Sequence, residues 1–587
     1  MMIRWIAALF LAFFPMQTAL AMGTLPNEAF TLSPSDYDWT YQEKLLITSK
    51  DGITLSCNLF LPEPKTPGET FPALVMPNSW IMEEHEYWVQ AKTFCEKGYI
   101  VLSYSARGWG QSEGWVDVGG RKDTGDITSL ITWLTNKTPV TGVVKTADGT
   151  VTDDSNAMIG MCGISLGGGL SLMGAAFDPR IKAVMAMVPW GDLVDSLYLN
   201  QSTKTIWVKG LLVGLGGVVA HLHPDIAKYS EQLFNHEHED LHTDLLPWAM
   251  ARSPINFLDQ YNDPDRNLAI CISTNLQDFL FTPTQILRFY YALDVKAKRI
   301  DFNRGIHASS EGTGLIGIPN TVWNRSYAWF DEHLKGMETG IMNNPPISID
   351  NKSNDTRHYL NHLYIKDING THLQGLTRPV IANPGTDTEL SRRYLSHRPW
   401  YHYKGGLTTR GGHSGVNTIS AGKISGLTLG IPLLSSLLEA HTQALHIRTS
   451  LPLTLRNKAL VFATEPLTST RSLVGTPSMS LTLTPSADRV QLIAHLYTVD
   501  ALGLGTLISH APLTLLESDQ LMPSAVPGTK KTYAFNFITT AAEVPRGHRL
   551  AVAIDTFDLS YGKASDEPFD LTLHYGEGSF LDIPWLK

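Results

Sequence analysis

The stretch MCGISLGGGL, residues 161–170, places one serine, Ser165, between Gly163 and the run from Gly167 to Gly169. The apolar run AMIGMCGI leads into this serine, and the run SLMGAAF follows it. Glycines on both sides of a serine suit a tight turn from a strand into a helix, because Cβ atoms there would collide with the neighbouring backbone. The stretch therefore predicts a strand that ends at Ser165 and a helix that begins directly after it.

Segments on either side of Ser165 alternate between strand and helix patterns. The strand-like runs are FPALVMP (71–77), YIVLSYS (99–105), IKAVMAMVP (181–189) and NLAICIS (267–273), and the helical runs are EEHEYWVQAKTFCEKG (83–98) and DITSLITWL (126–134). This alternation is typical of a mostly parallel sheet covered by helices on both faces. We therefore predict an α/β fold with a doubly wound, mostly parallel sheet over residues 35–340.

The segment from about residue 190 to 262 interrupts this alternation with helical patterns such as TIWVKGLLVGLGGVVAHL. Helices inserted after a late strand are expected to lie over the carboxyl edge of the sheet, so we predict a helical cap. The segment also carries several histidines, at His221, His223, His236, His238 and His242. Metal ligation is one interpretation of them, but solvated turns explain them more simply, and we predict neither a metal nor a cofactor.

The pattern changes after about residue 346, where short runs rich in valine, leucine, threonine and tyrosine are separated by turn residues. Examples are ALVFATEPL (459–467), VQLIAHLYTV (490–499) and FDLTLHYG (569–576). Short strands with regular turn signals and few helices indicate an antiparallel sandwich. A second domain is expected, because 587 residues exceed the length that one core supports. We therefore predict a C-terminal β-sandwich over residues 346–587.

Gly163-Ile164-Ser165-Leu166-Gly167 fits the pattern G-x-S-x-G, the nucleophile elbow of α/β-hydrolases. At the start of a helix, unpaired N–H groups and the positive end of the dipole stabilise developing negative charge. The N–H of Leu166 is therefore a predicted oxyanion donor. We expect the second donor from the turn after FPALVMP, at Ser79 or Trp80.

A serine hydroxyl is a poor nucleophile unless a base takes its proton and an acid orients that base. In this fold the chain order is serine, then acid, then histidine. Asp278 follows the strand-like run NLAICIS, and His307 follows the strand-like piece RIDFNRGI. We predict these two residues as the acid and the base. Asp301, inside a strand-like piece, and His333, in the helical run WFDEHL, are weaker candidates.

The N-terminus reads as an export signal, with Arg4, an apolar run from Trp5 to Phe14, and a small-residue ending at Ala21. We expect cleavage after Ala21 and a secreted or periplasmic protein. No later segment supplies the roughly 20 apolar residues that a membrane span needs. The net charge of −10 is spread without a basic patch, which disfavours nucleic acid as a partner.

Several of these pieces resemble the family that includes bacterial cocaine esterase, α-amino-acid ester hydrolases and X-prolyl dipeptidyl peptidases. The matching pieces are DGITLSCNLFLP, ARGWGQSEG, DITSLITWL, GISLGG, Asp278, GIHA and WFDEHLKG, with a looser match at ALVFATEPL and PRGHRLAVAID. The resemblance implies an α/β-hydrolase, a C-terminal jelly roll, and a triad at Ser165, Asp278 and His307. Relatives usually carry a tyrosine where this chain has Leu166, and another in the turn that here reads MPNSW.

Two classes of function are compatible with these features. The first is an exported serine hydrolase acting on a small ester, amide or short peptide. Removal of an X-Pro dipeptide needs anionic groups for a free ammonium, and Glu83, Glu84 and Glu86 are candidates, although acidic residues at a helix start are also expected from the dipole. The second is an inactive hydrolase fold that binds a carbohydrate or peptide through its β-sandwich. The oligomeric state is left open.

Overall fold

The computed structural model describes residues 29–235, 241–351, 361–365, 388–399, 401–422, 425–430, 447–518 and 521–587. The export signal predicted at residues 1–21 lies outside these ranges, as do His236 and His238. Within the described ranges, the structure contains no helix that is both long and apolar enough to span a bilayer.

The N-terminal part of the chain forms a mixed ten-stranded sheet and two short hairpins. Its strands are β1 (Trp39–Thr48), β2 (Thr54–Pro62), β3 (Ala73–Pro77), β4 (Ile100–Tyr104), β5 (Val144–Lys145), β6 (Val151–Asp153), β7 (Ile159–Ile164), β8 (Ile181–Met187), β9 (Tyr198–Leu199), β10 (Ser202–Thr203), β11 (Ala269–Asn275), β12 (Ala297–Asn303), β13 (Ile347–Asn351) and β14 (Asn361–Ile365). The large sheet has the order β1-β2-β4-β3-β7-β8-β11-β12-β13-β14, and its central strands from β4 to β13 are parallel.

Helices cover both faces of this sheet. The described helices of the whole chain, including those of the inserted segment, are α1 (Trp88–Glu96), α2 (Arg121–Lys137), α3 (Leu166–Phe177), α4 (Leu193–Leu197), α5 (Gly216–Val219), α6 (Pro224–Asn235), α7 (Leu246–Met250), α8 (Leu258–Tyr261), α9 (Pro283–Ala292), α10 (Ser309–Leu315) and α11 (Thr321–Lys335), with π-helical turns at Ile206–Leu215 and Leu241–Leu245 and 3-10 turns at Pro254–Phe257, Ile341–Asn343 and, in the C-terminal part, Leu451–Leu453. Successive strand side chains point to opposite faces. Val75 thus joins the core beneath α2 and α3, whereas Leu74 joins the core beneath α1 and α11. The predicted α/β fold is confirmed.

The domain boundary differs from the sequence-based prediction, which placed residues from 346 onwards in the second domain. Strand β13 pairs in parallel with β12, with Ile347 opposite Ile300, and β14 then pairs antiparallel with β13. The first sheet therefore extends to residue 365. The sequence of these two short strands does not continue the strand-helix alternation that signalled the first domain, which explains why the pattern ended too early.

The inserted segment lies between β8 and β11 and contains α4 to α8. Its β9–β10 hairpin contacts the C-terminal domain, because Gln201 Nε2 donates to the Thr514 carbonyl at 2.9 Å and the Gly562 N–H donates to the Thr203 carbonyl at 2.8 Å. Other parts of the segment line a cavity next to Ser165. The insertion therefore connects the second domain to the neighbourhood of Ser165.

The C-terminal part is built from strands. They are β15 (Thr388–Leu395), β16 (Gly405–Thr408), β17 (Val416–Ser420), β18 (Arg448–Ser450), β19 (Leu460–Ala463), β20 (Arg471–Gly475), β21 (Ser478–Pro485), β22 (Val490–Val499), β23 (Leu504–Leu515), β24 (Lys531–Asn536), β25 (Thr540–Val544), β26 (Arg549–Asp555), β27 (Asp570–His574) and β28 (Phe580–Leu586). Alternate residues of β21, such as Leu481, and of β22, such as Leu492, share one apolar core. This arrangement fits the predicted all-β second domain.

Candidate active site

Ser165 lies at the junction between β7 and α3, in a backbone conformation that side chains rarely adopt. Its φ of 57° and ψ of −114° are outside the regions favoured for a non-glycine residue. The flanking glycines make this turn possible. A Cβ atom on Gly163 would lie 2.5 Å from the carbonyl carbon of Gly167, and one on Gly167 would lie 2.2 Å from the carbonyl oxygen of Pro77. The turn therefore tolerates a side chain at Ser165 and not at these two neighbours.

We expect Gly167→Ala to destabilise the protein and to reduce any activity that depends on Ser165, because the new methyl group meets backbone rather than a movable side chain. Overpacking of this kind typically costs about 1–3 kcal/mol. The matched control is Gly125→Ala in α2, where an added Cβ meets nothing within 4 Å. Thermal melts should show a lower Tm for Gly167→Ala only. Equal Tm values for the two variants would contradict the steric explanation.

The structure brings Ser165, His307 and Asp278 into one hydrogen-bonded chain. The Ser165 Oγ is 2.7 Å from His307 Nε2, and His307 Nδ1 is 2.8 Å from Asp278 Oδ2. The side chain of Asp278 is inaccessible to solvent, and that of His307 is 9% exposed. A carboxylate that accepts from Nδ1–H leaves Nε2 unprotonated, so the ring can accept the hydroxyl proton.

Loops at the carboxyl ends of β11 and β12 position the acid and the base. The second oxygen of Asp278, Oδ1, accepts the N–H groups of Leu280 at 2.9 Å and of Phe281 at 3.0 Å, which fixes the carboxylate plane. The Phe281 ring packs edge-on against the His307 ring at 5.2 Å. Both oxygens of Asp278 are therefore engaged, and only Oδ2 faces the imidazole.

The two competing candidates have structural roles. Asp301 lies within β12 and forms a buried ion pair with Arg299 at 2.8 Å. His333 lies on α11 and packs against Trp329, with ring centroids 4.2 Å apart, and burial lowers its pKa to about 4. The preference for Asp278 and His307 over these residues agrees with the geometry.

The oxyanion donors agree only in part with the sequence-based prediction. Leu166 is the first residue of α3, where N–H groups have no intrahelical partner, and it lines the cavity beside Ser165 together with Trp80. Ser79, in contrast, donates its N–H and its hydroxyl to the carboxylate of Glu86, both at 2.6 Å. This is a correction to the prediction for Ser79, because the Glu86 carboxylate already accepts from both of its donors. Leu166 and Trp80 stay as candidates.

The acidic residues predicted to hold a substrate ammonium are directed elsewhere. Glu84 is buried and accepts from Ser56 Oγ at 2.7 Å and from the hydroxyl of Ser105. Glu86 is engaged by Ser79, and Glu83 is 59% exposed at the surface. Neither Glu84 nor Glu86 is among the described residues that line the cavity beside Ser165.

Burial raises the pKa of Glu86 to about 7, although the hydrogen bonds from Ser79 act in the opposite direction. The carboxyl titrates near 4.5 in an unfolded chain, so the folded state holds a proton that the unfolded state has released between these pH values. The contribution of Glu86 to stability is therefore most favourable below about pH 4.5 and declines as the pH rises toward 7.

We expect Glu86→Gln to remove this decline, because a glutamine oxygen accepts the Ser79 N–H while its amide donates to Ser79 Oγ. The stability of the variant relative to the wild type should then increase between pH 5 and pH 8, by about 1–3 kcal/mol. Denaturant unfolding of both proteins at several pH values measures the difference. A difference that does not change with pH would rule out titration of Glu86 as the cause.

A cavity opens directly onto Ser165 beneath the inserted segment. The cavity has a volume of about 60 Å³, which is room for roughly four to six water molecules. Its walls are aliphatic and aromatic, and they include Trp80, Trp190, Leu233, Leu245, Trp248 and Phe281. The sequence analysis did not identify these residues as functional. The signal was present in α6, where Ile226, Tyr229, Ser230 and Leu233 recur at helical spacing and all face the cavity.

A second residue missed from the sequence is Lys204, which is fully buried behind the loop of Asp278. Its Nζ donates to the Leu280 carbonyl at 3.0 Å and to the Ser196 carbonyl. Burial lowers its pKa to about 7. Lys204 therefore joins the inserted segment to the loop that holds the acid. A lone lysine in a polar run gives no sequence signal for such a role.

Two family models match the chain. Residues 51–309 match the model of the X-Pro dipeptidyl-peptidase (S15 family), and residues 379–578 match that of the X-Pro dipeptidyl-peptidase C-terminal non-catalytic domain. The first match contains Ser165, Asp278 and His307, and the second lies within the all-β domain. Both matches agree with the division of the chain into an α/β part and an all-β part.

Solved structures share the whole fold at low sequence identity. A CocE/NonD family hydrolase from Staphylococcus aureus is 13% identical, with a TM-score of 0.66 and coverage of 93% of both chains. An α-amino acid ester hydrolase is 16% identical, with a TM-score of 0.65 and coverage of 97% of this chain and 100% of the other. At these identities the likeness establishes the fold alone.

Curated relatives match over a shorter region. A polyketide transferase from Penicillium is 30% identical over 171 residues, which is 29% of this chain and 48% of the relative. An uncharacterised protein from Pseudomonas aeruginosa is 27% identical over 173 residues, 28% of this chain and 43% of the relative. The chain therefore spans less than half of the length of these curated relatives.

Proposed function

We propose that this chain, which belongs to the X-Pro dipeptidyl-peptidase (S15) family, is a serine hydrolase that cleaves small ester or amide substrates through Ser165, His307 and Asp278. The observation that carries the proposal is the hydrogen-bonded chain from Ser165 Oγ through His307 to Asp278. The strained elbow at Ser165 and the family membership support it. The cavity beside the serine is consistent with a small ester, amide or short peptide substrate.

In the proposed mechanism, His307 Nε2 takes the hydroxyl proton while Ser165 Oγ attacks the carbonyl carbon of the substrate. The negative charge that forms on the carbonyl oxygen is stabilised by the Leu166 N–H at the start of α3, with Trp80 as the candidate for the second donor. His307 then gives the proton to the leaving alcohol or amine, and an acyl-enzyme is formed. Water then attacks the acyl-enzyme through the same steps and releases the carboxylic acid of the substrate. Asp278 stabilises the imidazolium at each step.

We also propose that the protein is exported. The support is the N-terminal pattern with Arg4, an apolar run and a small-residue ending at Ala21. A protein expressed with its native start and recovered from the exported fraction should begin at Met22. N-terminal sequencing that finds Met1 retained would contradict this proposal.

A direct assay tests the proposed reaction. The purified protein is incubated with short-chain 4-nitrophenyl esters and, in parallel, with Ala-Pro 4-nitroanilide, and release of the chromophore is followed. Hydrolysis of the esters, the amide or both, lost in Ser165→Ala, is the expected result. If neither is hydrolysed and a fluorophosphonate probe leaves Ser165 unlabelled, the reaction is wrong, and a binding function becomes the better hypothesis.

A further inference from the structure

We propose that the acyl half of the substrate is an uncharged aliphatic group that fills the cavity beside Ser165, and that the site rejects acyl groups carrying a free ammonium. This inference rests on the proposed function. It names a substrate class within that function and differs from the removal of an N-terminal dipeptide, in which a free ammonium must be bound.

The lining of the cavity carries the first part of the inference. Two aromatic rings of the lining, Trp190 and Phe281, pack against each other at 5.5 Å, and Phe281 also contacts the His307 ring. Leu233, Leu245 and Trp248 line the same cavity. Leu233 and Leu245 are buried, with 2% and 5% of their surfaces exposed. Among the lining side chains that the structure describes, the polar groups are hydroxyls and indole N–H groups, and none is charged.

The position of the carboxylates carries the second part. On the side of the oxyanion turn, the carboxylates of Glu84 and Glu86 accept hydrogen bonds from serine hydroxyls. On the side of the inserted segment, Asp117 forms an ion pair with Arg252 at 2.6 Å. A substrate ammonium therefore meets no unengaged carboxylate among these residues.

Asp192 and Asp195 lie at the start of α4, beside the lining residue Leu193. Both pair with the guanidinium of Arg288, which lies 3.6 Å from Asp195 Oδ2 and makes a shorter contact with Asp192. Arg288 thus engages both acids on this side, and neither is among the described residues that line the cavity.

The apolar lining and the engaged carboxylates predict opposite effects of lengthening the acyl chain and of adding an ammonium to it. Each methylene group that enters an apolar cavity contributes about 0.8 kcal/mol, equivalent to roughly fourfold in kcat/KM. An ammonium moved into the same cavity loses its hydration and finds no partner, a cost of several kcal/mol. The value of kcat/KM should therefore increase with the length of the acyl chain and fall sharply when that chain carries an ammonium.

The experiment compares 4-nitrophenyl esters of acetate, butanoate, hexanoate and 2-aminohexanoate on the full-length protein at pH 6.5, with spontaneous hydrolysis subtracted. The last two substrates share one carbon chain and differ by an α-ammonium. We expect kcat/KM to increase by about 15-fold from butanoate to hexanoate. The 2-aminohexanoate ester should be at least about 100-fold poorer than hexanoate.

A substitution in the cavity lining tests whether the dependence of kcat/KM on acyl chain length arises in this cavity. Leu233→Trp should lower the ratio of hexanoate to acetate kcat/KM by at least about tenfold, because the larger side chain takes up the space of the distal methylenes. The matched control is Leu502→Trp in the turn between β22 and β23, where the leucine is 88% exposed. The control should keep the wild-type ratio.

The outcomes separate the substrate class from the reaction. A flat dependence on chain length, or a 2-aminohexanoate ester hydrolysed as well as hexanoate, overturns the inference while the serine hydrolase stands. Turnover of Ala-Pro 4-nitroanilide in preference to hexanoate does the same. Absence of any ester hydrolysis together with no labelling of Ser165 by a fluorophosphonate probe overturns the proposed function itself.

Discussion

Ser165→Ala should lower kcat/KM for a short acyl ester by about 10⁴- to 10⁶-fold, because the methyl group cannot attack the carbonyl and His307 then has no proton to accept. The residual rate comes from substrate binding and from the N–H donors at the start of α3. The fold should be retained, since the substitution removes the hydrogen bond between the hydroxyl and the imidazole at 2.7 Å and adds no atom to the turn. Steady-state kinetics with a 4-nitrophenyl ester measures the loss.

The control is Ser171→Ala, one turn further along α3. Its hydroxyl donates to the Gly167 carbonyl at 2.7 Å, within the helix and away from the imidazole. This variant should stay within about threefold of the wild-type rate, since it removes one local hydrogen bond. A Ser165→Ala protein that keeps more than a tenth of the wild-type turnover would show that another group is the nucleophile.

Asp278→Asn should lower kcat by about 10⁴-fold while leaving the fold intact. The asparagine oxygen takes the position of Oδ1, because only an acceptor satisfies the N–H groups of Leu280 and Phe281. The amide group then replaces Oδ2 and donates toward His307 Nδ1. The imidazole is forced to carry its proton on Nε2, the nitrogen that faces Ser165, and cannot act as the base.

The matched control is Asp259→Asn, which makes the same chemical change at an exposed aspartate in α8 and should keep wild-type kinetics. Imidazole proton signals in NMR spectra provide a second readout, since Asp278→Asn should move the ring proton from Nδ1 to Nε2. Activity of Asp278→Asn within tenfold of the wild type would exclude Asp278 as the orienting acid.

The local part of the site was predictable from sequence because it depends on short-range sterics. Gly163 and Gly167 are required by backbone contacts within the elbow itself, so the motif and its place between a strand and a helix indicate the geometry. Asp278 and His307 follow strands β11 and β12, and neighbouring parallel strands end at the same edge of a sheet. Chain order and strand position were therefore sufficient to select them.

The remainder depended on contacts that sequence spacing does not encode. Ser79 is diverted from the oxyanion position by Glu86, seven residues away and across a turn. The boundary at residue 346 was wrong because β13 joins the first sheet through pairing with β12. Lys204 acquires its position only when the inserted segment packs behind Asp278. Each of these features depends on tertiary contacts, and none produces a periodic pattern in the sequence.

The most direct measurement of the central claim is site mapping with a fluorophosphonate probe, in which attack by a serine oxygen on phosphorus expels fluoride. The labelled wild-type protein is digested and the modified peptide is sequenced by mass spectrometry. The account predicts one adduct, on Ser165, formed much more slowly in Asp278→Asn and absent in Ser165→Ala. An adduct on a different serine, or labelling of Ser165 at the same rate in Asp278→Asn, would contradict it.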